Sequence, residues 1–151
     1  MKEYEGYGIE FSPFLLKSDA YKILFDMIQK SDSDLKKDIE EFYESHKEGR
    51  SFQSIESSFC IFCEYGYKNK TTGLSGMEEL LTEFINEQAC NGKRRFVFED
   101  WVIHVPAGIP ETESDKKDYP TQDMITQILC KYAGPLYKKP LDVQWFDIHI
   151  N

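Results

Sequence analysis

Long apolar runs are missing from this sequence. The longest, over residues 59–63 and 101–105, span about five residues, whereas a helix that crosses a bilayer needs roughly 20. The first residues are acidic where a secretory signal would carry a basic and then an apolar stretch. We therefore expect no membrane-spanning segment, no membrane partner and a cytoplasmic location.

Basic residues are also few compared with acidic ones. The chain has 18 basic and 27 acidic residues, which gives a formal net charge of −9. A negative field repels phosphate at long range, and the short basic clusters at residues 93–95 and 138–139 do not reverse it. We therefore expect no nucleic-acid partner.

Cysteine is scarce, with four residues in a chain of 151. That number is low for a disulfide framework, and no export signal accompanies it. Reduced thiols are the expectation. With 40% hydrophobic and 30% charged residues the composition is that of an ordinary globular protein, and residues 1–151 fit a single domain.

Cys60 and Cys63 form a Cys-x-x-Cys pair that no second pair or paired-histidine motif accompanies. The alternation over residues 55–65 predicts a strand, in which side chains three apart point to opposite faces. We therefore predict buried, inert cysteines, no metal site and no cofactor. The alternative is a small Cys/His-based enzyme or ligand-binding domain, whose candidate residues are Cys60, Cys63, His104 and His149.

Apolar residues recur at helical spacing in four segments. The first two follow Ser18 and the polar turn at residues 31–34, the third follows Ser75, and the last follows Thr121. Ser75 and Glu78 fit a capping box, and Thr121 fits the N-cap of the last segment. The pattern predicts about four helices.

Alternating apolar residues predict strands over 4–12, 55–65 and 141–150. The last of these is apolar on both faces, which predicts a position inside the sheet. Residues 96–105 are rich in aromatic and β-branched residues, but the alternation shifts phase near Asp100. A hairpin and a single bulged strand both fit, and the turn propensity of Asp favours the hairpin.

The predicted elements follow the order β-α-α-β-α-β(β)-α-β. This order favours a two-layer α+β fold, with helices on one face of a four- to five-stranded sheet that is mostly antiparallel or mixed. A parallel α/β fold is the alternative, because several strands alternate with helices. It is disfavoured because the chain lacks the glycine-rich phosphate turn of that class.

Aromatic residues are abundant, with nine tyrosines, eleven phenylalanines and two tryptophans. Together with the acidic charge and the lack of a catalytic motif, they favour a non-enzymatic protein-interaction or regulatory module, such as an inhibitor, immunity or accessory factor for a more basic protein. The loop at 106–120 is long for a compact domain; it is either a contact surface or a solvated excursion. Homodimerisation stays open. The predicted partner-binding residues are Ile109, Glu111, Glu113, Asp115, Asp118 and Tyr119.

Overall fold

The computed structural model describes residues 2–11, 17–108 and 119–151. Within these ranges the chain forms four strands and five α-helices. In chain order they are β1 (Lys2–Glu10), α1 (Lys17–Gln29), α2 (Leu35–Arg50), α3 (Ile55–Ile61), α4 (Met77–Ala89), β2 (Val97–Glu99), β3 (Val102–Pro106), α5 (Gln122–Tyr132) and β4 (Gln144–Ile150). A π-helical turn (Phe62–Gly66) follows α3, and a 3₁₀ turn (Gly134–Leu136) follows α5.

The four strands form one sheet in the order β2-β3-β1-β4, and all neighbouring pairs are antiparallel. Helix α4 contacts β2 and helix α5 contacts β1, α1 packs against α4, and α2 and α3 pack against α1 and against each other. The predicted two-layer α+β fold is confirmed, with four strands. The alternative of a parallel α/β fold is wrong.

The phase shift near Asp100 marks a hairpin. Strands β2 and β3 are joined by Asp100 and Trp101 alone, and both residues have positive φ angles, of 53° and 61°. Positive φ at both central positions is the backbone of the tight turns that connect twisted antiparallel strands. The preference for a hairpin over a bulged strand is confirmed.

The strand predicted over residues 55–65 is wrong, because this segment forms α3 and the π-helical turn. Ser54 and Ser57 cap the helix reciprocally, each side chain accepting from the other's backbone N–H. The buried side chains are Ser58, Phe59, Phe62 and Cys63, which share one side of a helix. The apolar residues of this segment fit both periods, and burial follows the helical one.

The helix starts are predicted in part. Thr121 caps α5 by accepting from the backbone N–H of Met124, as expected. Gly76, and not Ser75, precedes the first residue of α4, and no side chain caps that helix, so the capping box of Ser75 and Glu78 is wrong. Among the helices of the described ranges, none is both long and apolar enough to span a bilayer.

The prediction that residues 141–150 lie inside the sheet is also wrong. Strand β4 pairs with β1 on one side only and forms an edge of the sheet. Its apolar residues lie on both faces, but Trp145 is 47% exposed while Ile148 is buried. Apolar residues on both faces of β4 therefore did not mean that a neighbouring strand lies along both of its edges.

The main core lies between the helices and one face of the sheet. Tyr7, Ile9 and Phe11 alternate along the start of the chain and face this core together with Ile103 and Val105 of β3. The register pairs Tyr7 with Val105 and Ile9 with Ile103. Cross-strand pairs of this kind explain why β1 and β3 occupy the centre of the sheet.

The opposite face of the sheet is concave and partly closed. The two edge strands contact each other even though β3 and β1 lie between them in the sheet, and the backbone N–H of His149 donates to Asp100 Oδ2 at 3.1 Å. The sheet is therefore strongly coiled. Its inner face buries Val102, His104 and Ile148 completely or nearly so.

Candidate functional site

The outer edge of β4 is defined by the direction of its backbone groups. On β1, the carbonyl of Glu5 accepts from Ala107 and the N–H of Phe11 donates to the carbonyl of Trp101. Odd-numbered residues of β1 therefore bond toward β3, and even-numbered residues bond toward β4. Glu5 is opposite Asp147, and because Glu5 bonds toward β3, it leaves Asp147 without a backbone bond to β1. The odd-numbered residues of β4 therefore point their N–H and C=O groups away from the sheet.

Those outward residues of β4 are Trp145, Asp147 and His149. The N–H of His149 is occupied by the carboxylate of Asp100. In the part of the chain that the structure describes, no group bonds to the outward N–H or C=O of Trp145 or Asp147. An unpaired stretch of this kind is a template for a further strand. We call it the β4 edge site, comprising Trp145, Asp147 and their register partners Tyr7 and Glu5.

The side chains along this edge form cross-strand pairs on the helix side of the sheet. Tyr7 and Trp145 are in contact, with ring centroids 5.3 Å apart. Glu3 and His149 are also in contact, with Oε1 and Nδ1 3.1 Å apart. Between these pairs, Glu5 is directly opposite Asp147. The site is therefore aromatic at one end and acidic in the middle.

Glu5 and Asp147 are a like-charge pair. Residues that are opposite each other without exchanging hydrogen bonds have the closest side chains in an antiparallel pair, and like charges in this position are destabilising. Both residues are exposed, and neither forms an ion pair with a described residue. A cationic group placed beside this pair would relieve the repulsion.

A second exposed aromatic residue lies at the far end of the edge. Trp101 is 68% exposed and follows Asp100, whose carboxylate holds the N–H of His149. Its φ of 61° is uncommon for a bulky side chain and is usually left to Gly or Asn. Its ring packs edge-on against Phe98, with ring centroids 6.2 Å apart.

The predicted partner-binding residues are not the residues of this edge. Ile109, Glu111, Glu113, Asp115 and Asp118 lie outside the described residues. Tyr119 is partly buried, its hydroxyl donates to the carbonyl of Pro106 at 2.9 Å, and the guanidinium of Arg95 lies 5.6 Å from its ring centroid. The tyrosine therefore anchors the C-terminal end of the long loop.

The Cys/His residues of the alternative hypothesis occupy separate parts of the fold. The prediction that both cysteines are buried is wrong for Cys60, which is exposed on α3, whereas Cys63 is buried in the π-helical turn. Burial, followed by the nearby charge of Glu64, raises the pKa of the Cys63 thiol, which disfavours a nucleophilic thiolate. His104 lies in the centre of the sheet and His149 on β4. Among the described residues, no three His, Cys, Asp or Glu side chains are arranged to hold a metal ion.

Because this segment is helical and not a strand, Cys60 and Cys63 do not point to opposite faces of a sheet. On a helix, residues three apart share a side, and the two thiols differ instead in burial. The candidate base His104 is bonded to Tyr4 and to the carbonyl of Val102 instead of to either thiol.

His104 is completely buried and both of its ring nitrogens have partners. Nδ1 lies 2.9 Å from the carbonyl of Val102, which can only accept, so Nδ1 carries the proton. Nε2 then accepts from the hydroxyl of Tyr4 at 2.6 Å. Burial raises the pKa of Tyr4 to about 12, which keeps this hydroxyl protonated. The ring is a neutral structural bridge between β1 and β3.

This environment predicts the protonation behaviour of His104. Burial lowers the pKa of the ring below its ordinary value of 6.5, so the unfolded chain takes up this proton first as the pH falls. The stability contributed by neutral His104 is therefore fully present above about pH 6.5 and is lost below it. Ring chemical shifts measured during an acid titration report this directly. A His104 midpoint at or above 6.5 would contradict the prediction.

The residues of the β4 edge were visible in the sequence only as part of an alternating strand. Position 147 is acidic and position 145 aromatic, but their exposure depends on β4 lying at the edge. An apolar pattern on both faces pointed the other way. One signal of an edge strand was present, because Asp147 is a charged residue in the middle of the strand. Charged residues are common on edge strands, where they discourage unwanted pairing with other chains.

No protein-family model, no curated protein and no solved structure matches the chain. Function therefore has to be inferred from the geometry and chemistry of the chain itself.

Proposed function

We propose that this protein is a non-enzymatic interaction module that binds an extended, basic segment of another protein along the β4 edge site. The observation that carries this proposal is the unpaired outer edge at Trp145 and Asp147, next to the opposed carboxylates of Glu5 and Asp147. A guest strand supplies main-chain hydrogen bonds to the edge, and its alternate side chains supply specificity.

The side chains of the edge specify the guest. On the helix side of the sheet, the guest residue beside Trp145 meets an exposed aromatic ring, and the residue beside Asp147 meets two carboxylates. Residues that share a face of a strand are two apart. The preferred guest therefore carries a lysine or arginine two positions from a large apolar residue.

Charge also favours a basic partner over a second copy of this chain. Each copy carries a net charge of −9. Two copies joined through β4 would bring a second Asp147 toward the existing pair of carboxylates. Association of opposite charges is accelerated and association of like charges is opposed, most strongly at low salt.

A defined peptide tests the proposal. The probe is a nine-residue peptide in which lysine and phenylalanine alternate at the odd-numbered positions, with threonine at the even-numbered ones, so that lysine and phenylalanine share a face of the strand. The matched peptide has glutamate in place of lysine. We expect the basic peptide to bind and to slow hydrogen exchange at the amides of Trp145 and Asp147, because these N–H groups become paired. The amide of Phe146, which already bonds toward β1, is the internal reference.

Reversing the charge at position 147 should abolish this binding. Asp147→Lys turns the acidic pair into an ion pair with Glu5, and we expect the affinity for the basic peptide to fall at least about tenfold, or 1.4 kcal/mol. Glu48→Lys, on exposed α2, makes the same change in net charge far from β4 and should leave the affinity within about twofold. Equal losses in the two variants, or protection of amides elsewhere than at the edge, would refute the proposed site.

A further inference from the structure

A second feature of the molecule lies outside the β4 edge site. A cavity of about 230 Å³ opens between the start of α2, the turn at residues 69–72, one side of α4 and the segment that enters β2. Five carboxylates line it, from Asp34, Asp38, Glu79, Glu83 and Glu87, and two cations, Lys70 and Arg94, share the lining. We call it the α2–α4 cavity. Its lining has an excess of negative charge.

Two of these residues, Glu83 and Glu87, accept hydrogen bonds with both of their carboxylate oxygens. Glu83 accepts from the hydroxyl of Tyr67 and from the backbone N–H of Lys70. Glu87 accepts from the backbone N–H of Asp34 with one oxygen and from the side chain of Gln88 with the other. These two residues organise the wall of the cavity.

Glu79 is different because only one of its oxygens has a partner. Oε2 accepts from Asn69 Nδ2 and from Thr72 Oγ1, both at 3.2 Å. Oε1 is buried, and no donor among the described residues reaches it. The whole residue is 3% exposed and lines the cavity together with Asn69 and Thr72. A buried acceptor without a donor costs about 1–3 kcal/mol.

The charged groups around Glu79 do not supply that donor. Burial raises the pKa of the Glu79 carboxyl, and the neighbouring charge of Glu78 acts in the same direction, whereas Thr72 and Arg94 oppose them. Arg94 is exposed at the rim of the cavity. Oε1 has almost no accessible surface, so a group in the cavity reaches it only after the carboxylate rotates about its terminal torsion, which is soft. That rotation exchanges the bonds from Asn69 and Thr72 to Oε2 for bonds to the guest.

The rest of the wall contains both polar and apolar residues. Leu35, Phe96, Val97 and Phe98 line the cavity beside the carboxylates. A site with an acidic end and an apolar wall fits a cation that carries a hydrocarbon stem, since such side chains pack the stem and leave the charged head to polar groups. The volume is below the roughly 300–1,000 Å³ of sites for drug-sized ligands, which limits the guest to about the size of one side chain.

We propose that the α2–α4 cavity binds a primary alkylammonium group, with its head on Glu79 and its stem against Val97 and Phe98. This chemistry belongs both to a small aliphatic amine and to a lysine side chain of a partner protein. An ammonium offers three donors, and Glu79 Oε1 takes one of them. No residue of the β4 edge site lines this cavity, so its failure leaves the peptide-binding proposal standing, and the reverse also holds.

Titration with simple amines tests this inference. The probes are n-butylammonium and tetramethylammonium, which carry the same charge but differ in the presence of N–H donors. Amide chemical shifts of the unmodified protein locate the binding. We expect saturable shifts by n-butylammonium at residues 69–72 and 79–83, and binding of tetramethylammonium at least about tenfold weaker. Equal binding of the two cations, or shifts spread over the whole acidic surface, would overturn the proposal.

Two variants sharpen the test. Glu79→Gln keeps the shape of the side chain but removes its charge and fills Oε1's position with an amide group, so the affinity for n-butylammonium should fall at least about tenfold. Glu48→Gln removes the same charge from exposed α2 and should leave the affinity within about twofold. Unchanged affinity in Glu79→Gln would refute the role of this carboxylate. If that variant does not fold, the shift map of the unmodified protein decides the question alone.

The two sources of the ammonium group are separated by a second pair of probes. 1,4-Diaminobutane represents a free aliphatic amine, and Nα-acetyl-lysine methylamide represents a lysine within a chain. Tighter binding of the diamine assigns the cavity to a small-molecule ligand. Tighter binding of the lysine derivative assigns it to a protein partner. Binding of neither refutes the site.

Discussion

Gly8→Ala is expected to lower the free energy of unfolding by about 3 kcal/mol, because a methyl group has no space at this position. A Cβ atom built on Gly8 would overlap the carbonyl oxygen of Ile103 and lie 2.6 Å from the Cα of His104. Both obstacles are backbone atoms of β3, which cannot move without breaking the central pairing of the sheet. Urea denaturation, compared with the unmodified protein, measures the effect.

Gly49→Ala is the control for this substitution. Gly49 lies in α2, and a Cβ atom there would meet no atom within 4 Å. Alanine stabilises a helix relative to glycine by roughly 0.5–1 kcal/mol, so this variant should be unchanged or slightly more stable. Equal destabilisation of both variants, or a Gly8→Ala protein as stable as the parent, would contradict the close approach of β1 and β3.

Asn86→Ala should also cost about 3 kcal/mol, because it removes three hydrogen bonds at once. The side chain of Asn86 accepts from the backbone N–H groups of Arg95 and Phe96 and donates to the carbonyl of Phe96. These bonds connect α4 to the segment that enters β2. The substitution would leave buried backbone groups of Phe96 without partners, and thermal or urea unfolding would show the loss.

Gln88→Ala provides the matched amide control on the same helix. Gln88 is half-buried, and its side chain bonds to the carboxylates of Asp32 and Glu87 rather than to the backbone of a strand. We expect a loss of no more than about 0.5 kcal/mol. If Asn86→Ala were no more harmful than Gln88→Ala, the bridge from α4 to β2 would have no energetic role.

The elements predicted correctly are those whose periodicity allows one structure. The apolar residues of α4 recur only at helical spacing, and those of β1 recur only at every second position. The segment that forms α3 satisfies both periods over a few residues. There the outcome depends on which side chains the rest of the core buries, and Phe59 packs against Tyr21 and Phe25 of α1. Short apolar runs are ambiguous for this reason.

The candidate sites could be foreseen less well than the fold. The acidic charge and the surplus of aromatic residues indicated an interaction surface, but the sequence placed it on the long loop. The β4 edge site exists because β4 has a single neighbour and because its register places Asp147 opposite Glu5. Glu79 is one of two adjacent acidic residues, and nothing in that pattern indicates that Glu79 is buried next to Asn69 and Thr72.

The amino-acid sequence by itself determined the sign of the surface charge, the α+β class, most helices and the hairpin around Asp100. These properties depend on composition and on residues close together along the chain. Only the tertiary structure decided which strand lies at the edge, which carboxylates are brought together and which acidic side chain is buried without a donor. Those properties depend on contacts between distant residues, and no local period or net charge specifies such contacts.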